Sequence, residues 1–180
     1  MTSLRLTGGR ARGRVVTDRV PAGVRPTSAR VREALFSVVG QDLADVSVLD
    51  AFAGTGLMGL EAWSRGARVT ACERDPAVFQ RLQGHLRALG ADIDALRGDV
   101  LCDLPAGLVF DGIFADPPYA DPVGPLLAAL APRARRWLVV EQDARAALPM
   151  RLDGMVCDRP RRYGETALWV YRRSASEGGA

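Results

Sequence analysis

The chain predicts a doubly wound α/β fold: a mostly parallel seven-stranded sheet with an antiparallel C-terminal strand, preceded by a small N-terminal β-hairpin. Three observations predict it. Short apolar runs alternate with helical stretches between residues 46 and 141, the pattern of a parallel sheet with crossover helices. Two of those runs end in an acid followed at once by turn chemistry. Asp50 leads into Ala51-Phe52-Ala53-Gly54-Thr55-Gly56, and Asp116 leads into Pro117-Pro118-Tyr119. After Glu141 the pattern changes. Gly154 to Cys157 and Thr166 to Tyr171 have the length and spacing of an antiparallel pair, joined by a basic loop with Arg159, Arg161 and Arg162.

The elements follow in order. Leu4-Arg5-Leu6-Thr7 and Arg14-Val15-Val16-Thr17 flank Gly8-Gly9 as a hairpin, with Arg10 and Arg12 near its tip. Pro21, Gly23 and Pro26 mark a loop. Thr27 or Ser28 caps a helix to Val39, with Val31, Leu35, Val38 and Val39 on its apolar face and Gly40 as its stop. Arg30 and Arg32 lie off that face and extend a basic surface. Val46 to Asp50 is the first strand of the sheet, and a helix from Leu57 to Arg65 follows. Arg68 to Glu73 is the second strand. Asp75 caps the next helix and Pro76 opens it. A short third strand ends near Gly98-Asp99, Phe110 to Ala115 is the fourth, and Trp137 to Glu141 is the fifth. Residues 1–25 form a basic appendage, 26–173 the main domain and 174–180 a frayed tail.

At 180 residues the chain is within the range of one domain. No apolar run reaches membrane-span length and the start has no signal-peptide pattern, so a cytoplasmic monomer with no membrane partner is expected. Three scattered cysteines and a single histidine, His85, show no ligand spacing, and no metal site is expected. His85 sits between polar neighbours and reads as a surface residue. Charge is unevenly placed. Residues 1–36 carry eight arginines and two acids, so all the net positive charge falls in the first fifth of a chain whose total is +3. That is an electrostatic footprint for nucleic acid.

The glycine loop after Asp50 lets a ligand approach the backbone at a helix N-terminus. Glu73 ends the second strand, placed to accept hydrogen bonds from ribose hydroxyls. Gly54, Gly56 and Gly59 satisfy the dinucleotide pattern literally, so the loop alone does not choose the cofactor. Three features favour S-adenosylmethionine. Asp50 is placed to meet a charged amino-acid group. Asp99 offers a carboxylate to the adenine amine. The proline-rich corner ends the fourth strand, beside the expected sulfonium. The expected cofactor contacts are Asp50 and Ala51, then Gly54, Thr55 and Gly56 in the loop. Glu73 with Arg74, Asp99 with Val100, and Asp116 complete them.

The Asp116-Pro117-Pro118-Tyr119 corner is stiff because proline fixes φ and pushes the preceding residue to extended backbone. The Asp116 carboxylate and the Pro117 carbonyl make a rigid set of acceptors beside the Tyr119 ring. Such a set suits a planar base bearing an exocyclic amine, so Asp116, Pro117 and Tyr119 are the candidate catalytic residues.

With these residues in hand, the chain resembles an S-adenosylmethionine-dependent amino-methyltransferase of the Rossmann-like class I. The N-terminal signature is more specific. Gly8-Gly9, Arg12-Gly13-Arg14, Arg25-Pro26-Thr27 and Arg30-Val31-Arg32-Glu33-Ala34-Leu35-Phe36, with Tyr163-Gly164-Glu165-Thr166 near the end, resemble the bacterial 16S ribosomal RNA (guanine-966-N2)-methyltransferase family. The resemblance runs over residues 4 to 172. It implies a guanine of small-subunit ribosomal RNA as substrate, in an assembled or assembling particle. It also implies RNA contacts from Arg10, Arg12, Arg14, Arg25, Thr27, Arg30, Arg32 and Tyr119. Two other readings compete: an adenine-N6 DNA methyltransferase, disfavoured because no separate target-recognition domain is present, and a non-catalytic ribosome-assembly factor.

Overall fold

A computed structural model describes residues 4–17, 27–118 and 121–174. It divides into two compact units, residues 1–104 and 105–180.

The first unit opens with the hairpin, β1 (Leu4–Arg5) against β2 (Val15–Thr17), paired antiparallel. Its connection is anchored to the rest of the unit: the Arg10 N–H donates to the Ser64 carbonyl at 2.7 Å, and the Ala11 N–H to Ser64 Oγ at 2.9 Å. Helix α1 (Ala29–Val39) starts at Ser28, whose side chain accepts from the Val31 N–H, and stops at Gly40. Its buried face carries Val31, Leu35, Phe36 and Val39 as well as Arg32, so Phe36 takes the place expected for Val38.

Then β3 (Ser47–Asp50), α2 (Leu57–Ser64), β4 (Arg68–Glu73), α3 (Pro76–Leu89) and β5 (Ile93–Arg97) alternate. The strands run parallel in the order β5-β4-β3. The local code is legible at α3. Asp75 Oδ1 accepts from the Ala77 and Val78 N–H groups at 2.8 Å, Pro76 fills the first position, and Gly90 ends the helix in the left-handed region. A side-chain acceptor satisfies N–H groups that the first turn leaves orphaned.

The second unit holds β6 (Phe110–Ala115), α4 (Val123–Leu130), β7 (Ala134–Asp143), β8 (Arg151–Leu152), β9 (Met155–Cys157), β10 (Arg161–Tyr163) and β11 (Thr166–Arg173). β6 and β7 are parallel, and β11 runs antiparallel to β7 and to β9, in the order β6-β7-β11-β9-β8. Phe114 packs on Trp137 with ring centroids 4.8 Å apart, tying β6 to β7. The segment expected as a basic loop is partly strand: Arg161, Arg162 and Tyr163 form β10, paired with Thr166 to Leu168. β10 and β9 therefore share one edge of β11, end to end. Among the described residues no helix is long and apolar enough to cross a membrane.

Candidate active site

In the first unit, the ends of β3 and β4 and the loop between β3 and α2 make one cradle. Asp50 is buried at the end of β3, and its Oδ2 accepts from the Gly59 N–H at 2.8 Å. Burial pushes its carboxyl up to about 7; the Gly59 hydrogen bond opposes the shift and the nearby Glu73 charge adds to it. Gly59 is a packing glycine. A Cβ there would lie 3.2 Å from Asp50 Oδ2 and 3.3 Å from Val69 Cγ1. Gly56 has φ of 81°, and a Cβ on it would fall 2.4 Å from Leu82 Cδ1. Both the backbone angle and the contact exclude a side chain there.

Glu73 joins the two strand ends. Its Oε2 accepts from the Gly54 N–H at 2.9 Å and its Oε1 from the Asp75 N–H at 2.8 Å. Each carboxylate oxygen has a further lone pair for a ligand hydroxyl. Asp99 follows β5. Its Oδ1 accepts from the Leu101 N–H at 2.8 Å, and Arg74 Nη1 stands 3.8 Å from its Oδ2. Val100 beside it is buried.

Two parts of this unit escape sequence reasoning. His85 is half-buried and bonded, not a bystander at the surface: its Nδ1 lies 2.9 Å from the Thr55 carbonyl of the glycine loop. The signal was present in the spacing, because His85 sits three residues after Leu82, the side chain that packs on Gly56. The second is Glu61, fully buried on α2. It accepts from Arg32 Nε at 2.8 Å, from the Thr7 N–H and hydroxyl at 2.9 Å, and from Arg65 Nη1.

That network corrects the reading of Arg32. Its side chain does not extend a basic surface; it is buried, and it also donates to the Thr27 carbonyl at 2.5 Å and the Arg5 carbonyl at 2.7 Å. An arginine taken out of water needs such partners, and Glu61 supplies the charge. Of the other expected RNA contacts, Arg14 donates to the Leu89 and Ala88 carbonyls at the end of α3, and Arg10 lies 4.4 Å over the Trp63 ring. Thr27 is half-buried, and Arg12 and Arg30 are exposed. Arg25 and Tyr119 lie outside the described residues.

In the second unit, β6 delivers Asp116 at its carboxyl end. Asp116 and Pro118 are exposed and Pro117 is buried. The Asp121 N–H donates to the Pro118 carbonyl at 2.9 Å.

A parallel sheet with acids at successive strand ends, a left-handed glycine before α2, and an antiparallel β11 inserted beside β7 define a class I S-adenosylmethionine-dependent methyltransferase. The cradle fits that cofactor: Glu73 and Asp99 present carboxylates at the ends of β4 and β5, and the glycines keep the loop backbone accessible. A family model described as "Conserved hypothetical protein 95" matches residues 4–172, and the chain belongs to that family, as the motif resemblance implied. The chain is 33% identical over 181 residues to Ribosomal RNA small subunit methyltransferase D of Escherichia coli K12, covering 96% of this chain and 91% of that one. A hypothetical protein of Thermus thermophilus, TTHA0928, is similar in structure, with TM-score 0.79, 31% identity, and coverage of 93% of this chain and 98% of that one. The magnesium protoporphyrin IX methyltransferase ChlM of Synechocystis PCC 6803, solved with bound S-adenosylmethionine, shares the fold at TM-score 0.65 and 17% identity, covering 81% and 79% of the two chains.

Proposed function

We propose that this protein methylates the exocyclic N2 amine of a guanine in small-subunit ribosomal RNA. The observation that carries the reading is Asp116, exposed at the carboxyl end of a parallel strand and followed by two prolines. The relative from Escherichia coli, matched over nearly its whole length, is named for action on small-subunit RNA and supports the substrate class.

Bound S-adenosylmethionine supplies an activated methyl group. The protein's part is to bind, orient and stabilise charge. Glu73 would hold the ribose hydroxyls, Asp99 the adenine amine and Asp50 the amino-acid end. The target guanine leaves its stack to present N2, as enzymes acting on bases require. The Asp116 carboxylate and the Pro117 carbonyl accept the two amine hydrogens, and Tyr119 stacks on the ring. Those bonds fix the nitrogen and favour the positive charge it gains. The hairpin arginines, with Arg25 and Arg30, hold RNA phosphates. The protein acts in this reading as a cytoplasmic monomer, with residues 1–25 as the RNA-gripping segment, 26–173 as the catalytic domain and 174–180 as a tail.

Labelled methyl transfer to small ribosomal subunits, naked ribosomal RNA and duplex DNA, followed by nucleoside analysis, tests it. N2-methylguanosine from RNA is expected. Label only in DNA adenine, or in no substrate, overturns the reading.

A further inference from the structure

Arg161 stands apart from every other sheltered arginine. Five described arginines are not exposed: Arg32, Arg65, Arg133, Arg161 and Arg173. Arg32 and Arg65 bond Glu61. Arg133 donates to the Pro105 and Leu108 carbonyls, at 2.9 and 3.1 Å. Arg173 donates to the carbonyls of Ala131, Ala134 and Asp153. Arg161 is the exception, with a buried Nε that has no hydrogen-bond partner among the described residues. A guanidinium stays charged at every relevant pH, so an unpartnered N–H there is a standing cost.

Strand register says where this cation lies. Arg161 pairs with Leu168, and Leu168 pairs with Glu141. The residue before Glu141, Val140, is the register partner of Ala115, which immediately precedes Asp116. Directly paired residues project to the same face of a sheet. Glu141, Leu168 and Arg161 thus form one row across β7, β11 and β10, and Asp116, one residue past the end of β6, continues it beside Glu141. Three strand steps of about 4.8 Å separate the backbones at the two ends of that row, roughly 14 Å in all. That is longer than a purine is wide, and it matches a base with its sugar–phosphate. Arg159 and Arg162, both exposed, flank Arg161 and extend the positive edge.

We propose that Arg161 is a substrate-binding residue that donates to a phosphate oxygen of the RNA strand beside the target nucleotide, holding the backbone while the base reaches Asp116. The inference rests on the RNA reading above and adds an RNA contact within the second unit.

The test compares wild type with Arg161→Met and Arg161→Lys, using an in vitro transcript of small-subunit ribosomal RNA. RNA binding is measured over a salt series, methyl transfer as kcat and KM, and S-adenosylmethionine affinity and thermal midpoint as controls. Arg161→Met should lose about tenfold or more in kcat/KM for RNA, as expected for a lost charge-assisted hydrogen bond. Its salt slope should become shallower by about 0.7–0.9, the value for one phosphate contact. Arg161→Lys should keep most of both, because a point charge also serves a phosphate. Cofactor affinity should not move. A Met variant that matches wild type overturns the proposal. So does a loss of activity with an unchanged salt slope, or a parallel loss of cofactor affinity or folding. If wild type transfers no methyl to any RNA, the functional reading fails, while the binding slope still reports on Arg161.

Discussion

His85 Nδ1 lies 2.9 Å from the Thr55 carbonyl oxygen, so α3 braces the glycine loop through a side chain. A carbonyl only accepts, and Nδ1 therefore carries the proton in this contact. His85→Asn places an amide nitrogen near the Nδ1 position and should keep cofactor affinity. His85→Leu should weaken S-adenosylmethionine binding about fivefold, the worth of one net hydrogen bond. Calorimetric titration of the two variants decides; equal affinities would remove the bracing role.

Asp50 should leave a signature in pH-dependent stability. Its folded carboxyl is raised from 3.8 to about 7 by burial. Between those values the folded state holds a proton that the unfolded state has released, so this group's contribution is full below pH 3.8 and is lost as pH rises through about 7. Asp50→Asn retains an acceptor for the Gly59 N–H and removes the ionisation. The gap in thermal midpoint between variant and wild type should therefore widen in the variant's favour as pH rises across that window. Parallel curves would show that burial does not hold the proton on Asp50.

Glu61 should be a stability residue. Glu61→Gln leaves Arg32 and Arg65 buried without a counter-charge, and breaking such a buried pair costs about 3–5 kcal/mol. For a chain of this size, that lowers the thermal midpoint by roughly 10 °C. A drop of a degree or two in a melting experiment would mean that the arginines find other partners.

Asp116 should separate binding from chemistry. Asp116→Ala should keep most of its S-adenosylmethionine affinity, as one of several cofactor contacts, and lose about 10²–10³ in kcat for methyl transfer, the scale for removing one charge-stabilising group. Near-wild-type turnover in the labelled-methyl assay would sink the acceptor role.

The hairpin charges should act through salt. Replacing Arg10 and Arg12 with alanine should weaken RNA binding and flatten its salt dependence by about 1.4–1.8, two phosphate contacts' worth. Arg32 is excluded from this set because its guanidinium is spent on Glu61. An unchanged slope would place the RNA grip elsewhere.

Short-range chemistry made much of this protein legible from residues alone. Asp75-Pro76 and Gly90 bound α3 because capping is settled within a turn of chain. Asp50, Glu73 and Asp116 were recognisable because each ends an apolar run, and a run's end is visible without its neighbours. What needed three dimensions was the partner of each buried charge. Nothing near Arg32 in the chain points to Glu61, 29 residues away. Nothing near Arg161 shows that it shares a row with Glu141, because that follows from β11 lying between their strands. Capping and strand-end placement are local properties of the backbone, whereas the fate of a charge depends on which distant segment arrives to meet it and on whether water is left beside it.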